Sequence, residues 1–279
     1  MSSNDVSRME SDIVQNLYRF DQPVSRRIAA LEQVTEADIQ SFRNEGYLII
    51  DKILTDKEIA DAKREIADII HGRIQGPQVQ FVKELNERST DEDKENAVRK
   101  INRYSKFADA LGKINNHAGI LQLLERLFRE QPKAILDQAL LKPPFGGGEK
   151  PWHQDMAYGN QKYTKQTITV WMALDEAGTD NGCMHIIPKS HMNGGVPHYQ
   201  IRDWQICDSS VDTNRDYVVP LKPGGALFFS GLLHHGTPVN SSAKRRWALQ
   251  LRFAPASAVL MNAEEFKLMF TNEMTEADC

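Results

Sequence analysis

Hydrophobic positions recur at helical spacing through the first part of the chain and alternate in short runs through the second. "TEADIQSFRNEG" predicts a helix that opens on Thr35 as N-cap and stops at Gly46. "YLIIDKIL" reads as a short strand. "TDKEIADAKREIADIIHG" sets Thr55 and Glu58 at capping-box spacing and puts Ile59, Ala62, Ile66, Ile69 and Ile70 on one helical face. "HAGILQLLERLF" repeats the pattern with Ile120, Leu123, Leu124, Leu127 and Phe128. Between these helices, "NERSTDEDKENAVRK" is so charged that it reads as a solvated loop.

From about Ala134 the texture changes to strand-like runs broken by Gly, Pro, Asn and Asp: "AILDQALLK", "QTITVWMAL", "CMHIIP", "YVVPL", "ALFFS" and "WALQLRF". Helices followed by many short strands predict an α+β chain whose second half is a sandwich or small barrel. Alternate residues of a strand share a face. Ile168, Val170 and Met172 can therefore pack under the N-terminal helices while Thr169 and Trp171 point into the barrel. By the same parity Trp247, Leu249, Leu251 and Phe253 share one face of the last strand, and Arg246, Ala248, Gln250 and Arg252 the other. One domain is expected over 1–279: a mainly helical part (1–133), a β core (134–256) and a C-terminal tail (257–279).

Composition narrows the function classes. A formal net charge of -4, with only short basic clusters such as Lys244–Arg246, argues against a nucleic-acid binder. The three cysteines, Cys183, Cys207 and Cys279, are odd in number and far apart. They suggest neither a zinc knot nor a disulfide scaffold, so a reducing compartment is expected. The polar start "MSSNDVSRMESDIVQN" has no apolar signal region, no run is long enough to cross a bilayer, and the ending "EADC" is no peroxisomal address. A cytoplasmic enzyme or binding protein, away from membranes, remains, of unspecified oligomeric state.

The candidate chemistry lies in "PWHQDMAYGN", after the Gly146–Gly148 run. In extended backbone, His153 and Asp155 project to the same side and could share a metal ion; taken alone, an ordinary polar loop is an equal reading. "ALFFSGLLHHGTPVNSSAKRRWALQLRF" adds distal histidines, His234 and His235, and eleven residues beyond His235 comes Arg246, whose guanidinium fork suits a carboxylate. Two histidines and one carboxylate on one face make the facial triad of non-haem Fe(II) oxygenases; zinc would accept the same ligands.

"WHQD", "VWMALDEAGTDNGCMHIIPKSH" and "LKPGGALFFSGLLHHGTPVNSSAKRRWALQLRF", in that order, resemble the phytanoyl-CoA dioxygenase (PhyH) family of Fe(II)- and 2-oxoglutarate-dependent oxygenases. The strong match runs from about Leu136 to Ala254, and "GYLIIDKILTDKEIADAK" resembles the family's opening segment. The resemblance implies a double-stranded β-helix, or jelly roll, with helices packed on one sheet. It implies His153, Asp155 and His235 as iron ligands, His235 being preferred over His234 because it precedes Gly236, and Arg246 as the anchor of the 2-oxoglutarate distal carboxylate. Trp171, Thr169, Gln138 and Lys100 become further co-substrate contacts. The implied reaction uses O2 to oxidise a small molecule while 2-oxoglutarate is decarboxylated to succinate and CO2. Family substrates range over acyl-CoAs, compatible solutes, phosphonates and natural-product intermediates. Arg252 and Gln250, on the face of Arg246, are expected to meet an anionic substrate; His185 is a further substrate candidate, and His191 is read as a turn residue. The alternatives are a non-catalytic jelly roll that senses a ligand and a zinc hydrolase.

Overall fold

Both threonine N-caps form as the sequence predicts. Thr35 and Thr55 each exchange hydrogen bonds with the residue three on, Asp38 and Glu58, which satisfies donors that the first helical turn leaves open. The first helix ends at Gly46 with φ 86°, a left-handed conformation that glycine adopts without strain. The computed structural model describes residues 16–82, 85–86, 88–158, 162–271 and 279. Residues 1–15, read above as free of a secretion signal, and most of the C-terminal ending lie outside these.

Among the described residues the helices are α1 (Glu36–Glu45), α2 (Asp56–Ile70), α3 (Asp91–Ala97), α4 (Asp109–Asn115), α5 (Ala118–Phe128) and α6 (Ala263–Phe270). The strands are β1 (Ile28–Ala30), β2 (Tyr47–Lys52), β3 (Gln78–Phe81), β4 (Val98–Asn102), β5 (Pro132–Lys142), β6 (Lys150–His153), β7 (Ile168–Ala173), β8 (Met184–Ile187), β9 (Tyr199–Gln200), β10 (Trp204–Gln205), β11 (Tyr217–Val219), β12 (Ala226–Ser230), β13 (His234–Thr237) and β14 (Arg246–Pro255). They form an eight-stranded sheet, β1-β2-β12-β7-β14-β5-β4-β3, and a four-stranded sheet, β11-β8-β13-β6. β9 and β10 pair separately.

The two sheets close on each other as a jelly roll. Trp171, Leu227, Phe229 and Ala248 from the larger sheet share a core with Met184, Ile186, Val218 and Val219 from the smaller. The opposite face of the larger sheet carries Ile168, Val170, Met172, Trp247, Leu249, Leu251 and Phe253, packed against Phe42, Ile59, Ile66, Ile120 and Leu124 of the helices. The parity read from β7 and β14 is the parity observed.

Three expectations need correction. The charged segment after residue 85 is not a loop throughout: Thr90 and Asp93 form another capping box, α3 follows, and β4 joins β5 in the large sheet. A helix start needs only local caps, and that signal outweighs the high charge. The N-terminal part is less helical than expected, because β1 and β2 extend the large sheet beside β12, and β3 and β4 extend it beside β5. The C-terminal tail contains α6, whose Phe266 and Phe270 pack on Met156 and Ala157.

Cysteine usage is also corrected. Cys207 and Cys279 are paired in a disulfide, while Cys183 is free and buried. Sequence spacing could not show this, because tertiary folding brings partners 72 residues apart to a Cα separation of 5.3 Å. Among the described residues, no helix is long and apolar enough to cross a membrane.

Candidate metal centre

Strand register brings the two histidines together. β6 runs antiparallel to β13, and His153 is directly opposite His235. Their ring centroids are 4.1 Å apart. The close approach depends on Gly236: a Cβ there would stand 2.9 Å from the Tyr18 hydroxyl and 3.1 Å from the Lys150 carbonyl. Asp155 sits in a short 3₁₀ turn just past β6. Its Oδ1 is 3.7 Å from Nε2 of each imidazole. That is too long for a hydrogen bond. All three donor atoms lie within 4.8 Å of one another, and all three residues are buried. An ion held at about 2.1 Å by nitrogen and oxygen ligands fits among them.

The surroundings fix which atoms can ligate. Nδ1 of His153 is 2.7 Å from the Pro151 carbonyl, and Nδ1 of His235 is 2.9 Å from that of Leu233. A carbonyl can only accept, so each Nδ1 carries the proton and each Nε2 lone pair is left for metal. His234 lies on the same strand, but its imidazole is not part of the cluster. The Asp155 carboxylate is gripped on both oxygens. Thr169 Oγ1 donates to Oδ2 at 2.6 Å, and Arg252 Nη2 is 2.5 Å from Oδ1. Arg252 Nη1 also donates to the Asp155 carbonyl at 3.1 Å. Burial would raise this carboxyl's pKa; Arg252 and the two imidazoles instead hold it far below the usual carboxylate range.

A cavity of about 420 Å³ opens beside the cluster and is lined by His153, Asp155 and His235. Arg246, Trp171, Gln138, Lys100 and Gln250 line it too. Arg246 is 3% exposed, yet its Nε and Nη1 have no hydrogen-bond partner. Its guanidinium lies 5.1 Å from the Trp171 ring centroid, and burial lowers its pKa to about 10. Buried donors of this kind are rarely left unpaired, so this one is built for an anionic ligand from outside the chain. The Trp171 indole N–H is likewise buried without a partner. Residues and keto acid therefore fit: a metal-binding cluster and an orphaned guanidinium share one cavity.

Three of the proposed contacts are placed differently from expectation. Thr169 grips Asp155 rather than lining the cavity. Arg252 lines the cavity, but its guanidinium is engaged by the metal-side carboxylate rather than held for a substrate. His185 faces away from the cavity: its Nδ1 meets Asp216 at 2.9 Å, with Tyr18 and Phe20 against its ring. Strand parity explains this, because its neighbour Met184 takes the cavity-facing position. Gln138 lines the cavity and donates to Asn102 at 2.7 Å. The Lys100 amine is pushed down to about 8, by burial first and by Lys150 and Arg99 next. His191 lies in the short 3₁₀ turn Ser190–Asn193, and its Nε2 is 3.1 Å from the Arg43 carbonyl.

Sequence reasoning missed Thr237, Lys142, Lys150 and Tyr158, all of which line the cavity. Two had a usable signal. Thr237 is two residues beyond His235 and shares its face, and Lys142 is four beyond Gln138 on β5. The Lys142 amine is bound by the carbonyls of Gly148 and Pro238.

The buried imidazoles predict an acid sensitivity of the metal-free protein. Burial lowers His153 to about 3, His198 to about 3 and His234 to about 4. Below the ordinary histidine pKa of about 6.5 the unfolded chain takes up protons that the folded chain refuses. Stability should therefore be full above pH 6.5 and fall as pH drops from there towards about 4. Thermal melting of metal-free protein at pH 7.5 and 5.5 checks this, and equal melting temperatures would contradict it.

With the site in view, four similarities carry information. The family model described as Phytanoyl-CoA dioxygenase (PhyH) matches residues 42–248. Phytanoyl-CoA dioxygenase domain-containing protein 1 of Danio rerio is 24% identical over 289 residues, covering 88% of this chain and 98% of that protein. A methylphosphonate hydroxylase of Gimesia maris is 33% identical over 147 residues, 49% of this chain and 54% of its own. Among solved structures, EvdO2 from Micromonospora carbonacea var. aurantiaca, complexed with 2-oxoglutarate, superposes with a TM-score of 0.64 at 22% identity, covering 86% of this chain and 95% of that one. At that identity the superposition speaks for the jelly-roll fold. The family match, together with the triad and the unpaired arginine, places the function: this chain belongs to the phytanoyl-CoA dioxygenase (PhyH) family of Fe(II)- and 2-oxoglutarate-dependent oxygenases.

Proposed function

We propose that the protein hydroxylates a small anionic molecule at the expense of O2 and 2-oxoglutarate, releasing succinate and CO2. The observation that carries the substrate class is the charge of the cavity wall. Arg99, Lys100, Lys150, Arg246 and Arg252 line it, against the carboxylates of Glu149 and Asp155; Lys142 lines it too, but burial holds its amine well below the usual lysine range. Both carboxylates are engaged, Glu149 by Arg202 and Tyr18, Asp155 by Arg252. Asp203 adds one more negative charge, shared between Lys150 at 2.6 Å and Arg99 at 3.3 Å. A divalent ion and a dianionic keto acid offset each other, so the wall stays cationic once both are bound. A desolvated cationic wall favours a carboxylate, phosphate or phosphonate over a neutral molecule.

In this reading His153, Asp155 and His235 hold the iron, and Arg246 holds the far carboxylate of the keto acid. When bound, iron and keto acid supply the oxidising chemistry that inserts one oxygen atom of O2 into a substrate C–H bond. The chain's own residues do the positioning. Thr169 and Arg252 orient the carboxylate, the Pro151 and Leu233 carbonyls orient the imidazoles, and the apolar wall of Leu136, Leu140 and Met184 limits water.

Succinate release by iron-loaded protein, with ascorbate and 2-oxoglutarate, tests this against a panel of small carboxylates, phosphates, phosphonates and neutral analogues. The expected result is O2-dependent succinate matched by product from an anionic member. Selective turnover of neutral members would contradict the substrate class. No succinate with any member would favour a ligand sensor, and activity surviving without O2 a hydrolase.

A further inference from the structure

Gln154, between the two metal-ligand positions His153 and Asp155, is fully buried. Its side chain is anchored at both ends: Nε2 donates to the Gly194 carbonyl at 2.8 Å and the Leu232 carbonyl at 2.7 Å, and Oε1 accepts from the Val196 amide at 2.9 Å. Its backbone N–H has a rarer partner. It donates to Nε2 of His198 at 3.0 Å, while Nδ1 of that ring is 2.8 Å from the Val196 carbonyl. Because the carbonyl only accepts and the amide only donates, His198 must be neutral, with its proton on Nδ1.

We infer that His198 is a positioning residue for the metal centre: by accepting the Gln154 backbone N–H, it fixes the peptide between two metal ligands and so holds His153 and Asp155 in binding geometry. His198 is itself held from several sides. Its ring stacks on Trp204 at 6.0 Å and meets Phe270 edge-on at 6.1 Å, and its backbone N–H donates to the Phe270 carbonyl at 2.8 Å. Trp204 Nε1 donates to the Ala157 carbonyl at 2.8 Å, on the same turn as Asp155. The 3₁₀ turn is thus clamped by β10 on one side and by the end of α6 on the other, with His198 between them. The C-terminal helix bears on this turn through the His198 imidazole as well as through Phe266 and Phe270. Outer groups that fix a ligand's orientation commonly govern metal affinity although they never touch the ion.

The inference rests on His153 and Asp155 being ligands, and wild-type protein tests that separately: Co(II) must bind it and show a ligand-field spectrum in the visible. Co(II) is then titrated into His198→Phe, which keeps the ring packing and removes the acceptor, and His198→Gln, which offers an amide oxygen in its place. The expected result is a 10- to 100-fold weaker Co(II) affinity and an altered spectrum for His198→Phe, with much of both restored in His198→Gln. Co(II) affinity and spectrum unchanged in His198→Phe, whatever its melting temperature, would overturn the inference. So would equal losses in both variants. If His198→Phe does not fold, amide hydrogen exchange in the metal-free wild-type protein decides: the Gln154 amide must exchange slowly, and exchange at the rate of an exposed loop would overturn the assignment.

Discussion

Arg246→Leu should raise the KM for 2-oxoglutarate by a factor on the order of 100 while leaving Fe(II) affinity within a few-fold of wild type. Losing one partner of a buried charged pair costs roughly 2–5 kcal/mol, and about 3 kcal/mol corresponds to that factor. Metal affinity should persist because Arg246 takes no part in the triad. The substitution has a second expected consequence. In the ligand-free protein the guanidinium is buried with two unpartnered nitrogens, and an unpaired buried charge is costly. The ligand-free variant should therefore melt at or above the wild-type temperature. Arg246→Lys should restore 2-oxoglutarate use only in part, since an ammonium cannot reproduce a two-pronged contact. Steady-state kinetics and thermal melting read the two effects separately; an unchanged KM would remove Arg246 from the site.

Asp155→Ala should abolish tight metal binding and also destabilise the protein when no metal is present. The Asp155–Arg252 pair is a buried ion pair, with side chains 3% and 5% exposed. Removing the carboxylate takes the ion-pair partner from a buried guanidinium, at about 3–5 kcal/mol. For a chain of this length that is a fall in melting temperature on the order of 10 °C. His235→Ala provides the contrast: it too should lose the metal, but it breaks no ion pair, so its metal-free form should melt closer to wild type. The double variant Asp155→Ala/Arg252→Met should recover part of the stability lost by Asp155→Ala, as expected when two coupled charges are removed together. Metal-free Asp155→Ala melting like wild type would show that the pair does not hold in solution.

The parts of the fold legible in the sequence are those whose signal is local. α1 and α2 announce themselves by capping threonines and apolar faces, and β7 and β14 by alternation, which placed Trp171, Arg246 and Gln250 on the cavity side correctly. β6 ("KPWH") and β13 ("HHGT") carry no strand signal of their own. Four residues rich in His, Pro and Gly carry no alternation, and pairing makes strands of them. Yet these strands bear the two histidines, whose alignment is a matter of register alone.

The candidate ligands were legible because residue type carries metal chemistry. The residues around them were not, because their roles depend on which element crosses which. Arg252 and Thr169 are register partners across β14 and β7, and both reach an aspartate arriving from the opposite sheet. From sequence, Arg252 could only look like a free cation on a polar face. His198 lies in a loop with no pattern at all, and only tertiary contact brings its ring to the Gln154 amide.

The central claim is that His153, Asp155 and His235 hold one iron ion beside the Arg246 cavity. Crystals soaked anaerobically with Fe(II) and 2-oxoglutarate, with diffraction collected on both sides of the iron absorption edge, test it directly. The account predicts a single anomalous peak within bonding distance of Nε2 of His153, Nε2 of His235 and a carboxylate oxygen of Asp155, with keto-acid density ending on Arg246. A peak elsewhere in the molecule, or one that His235 does not touch, would contradict it.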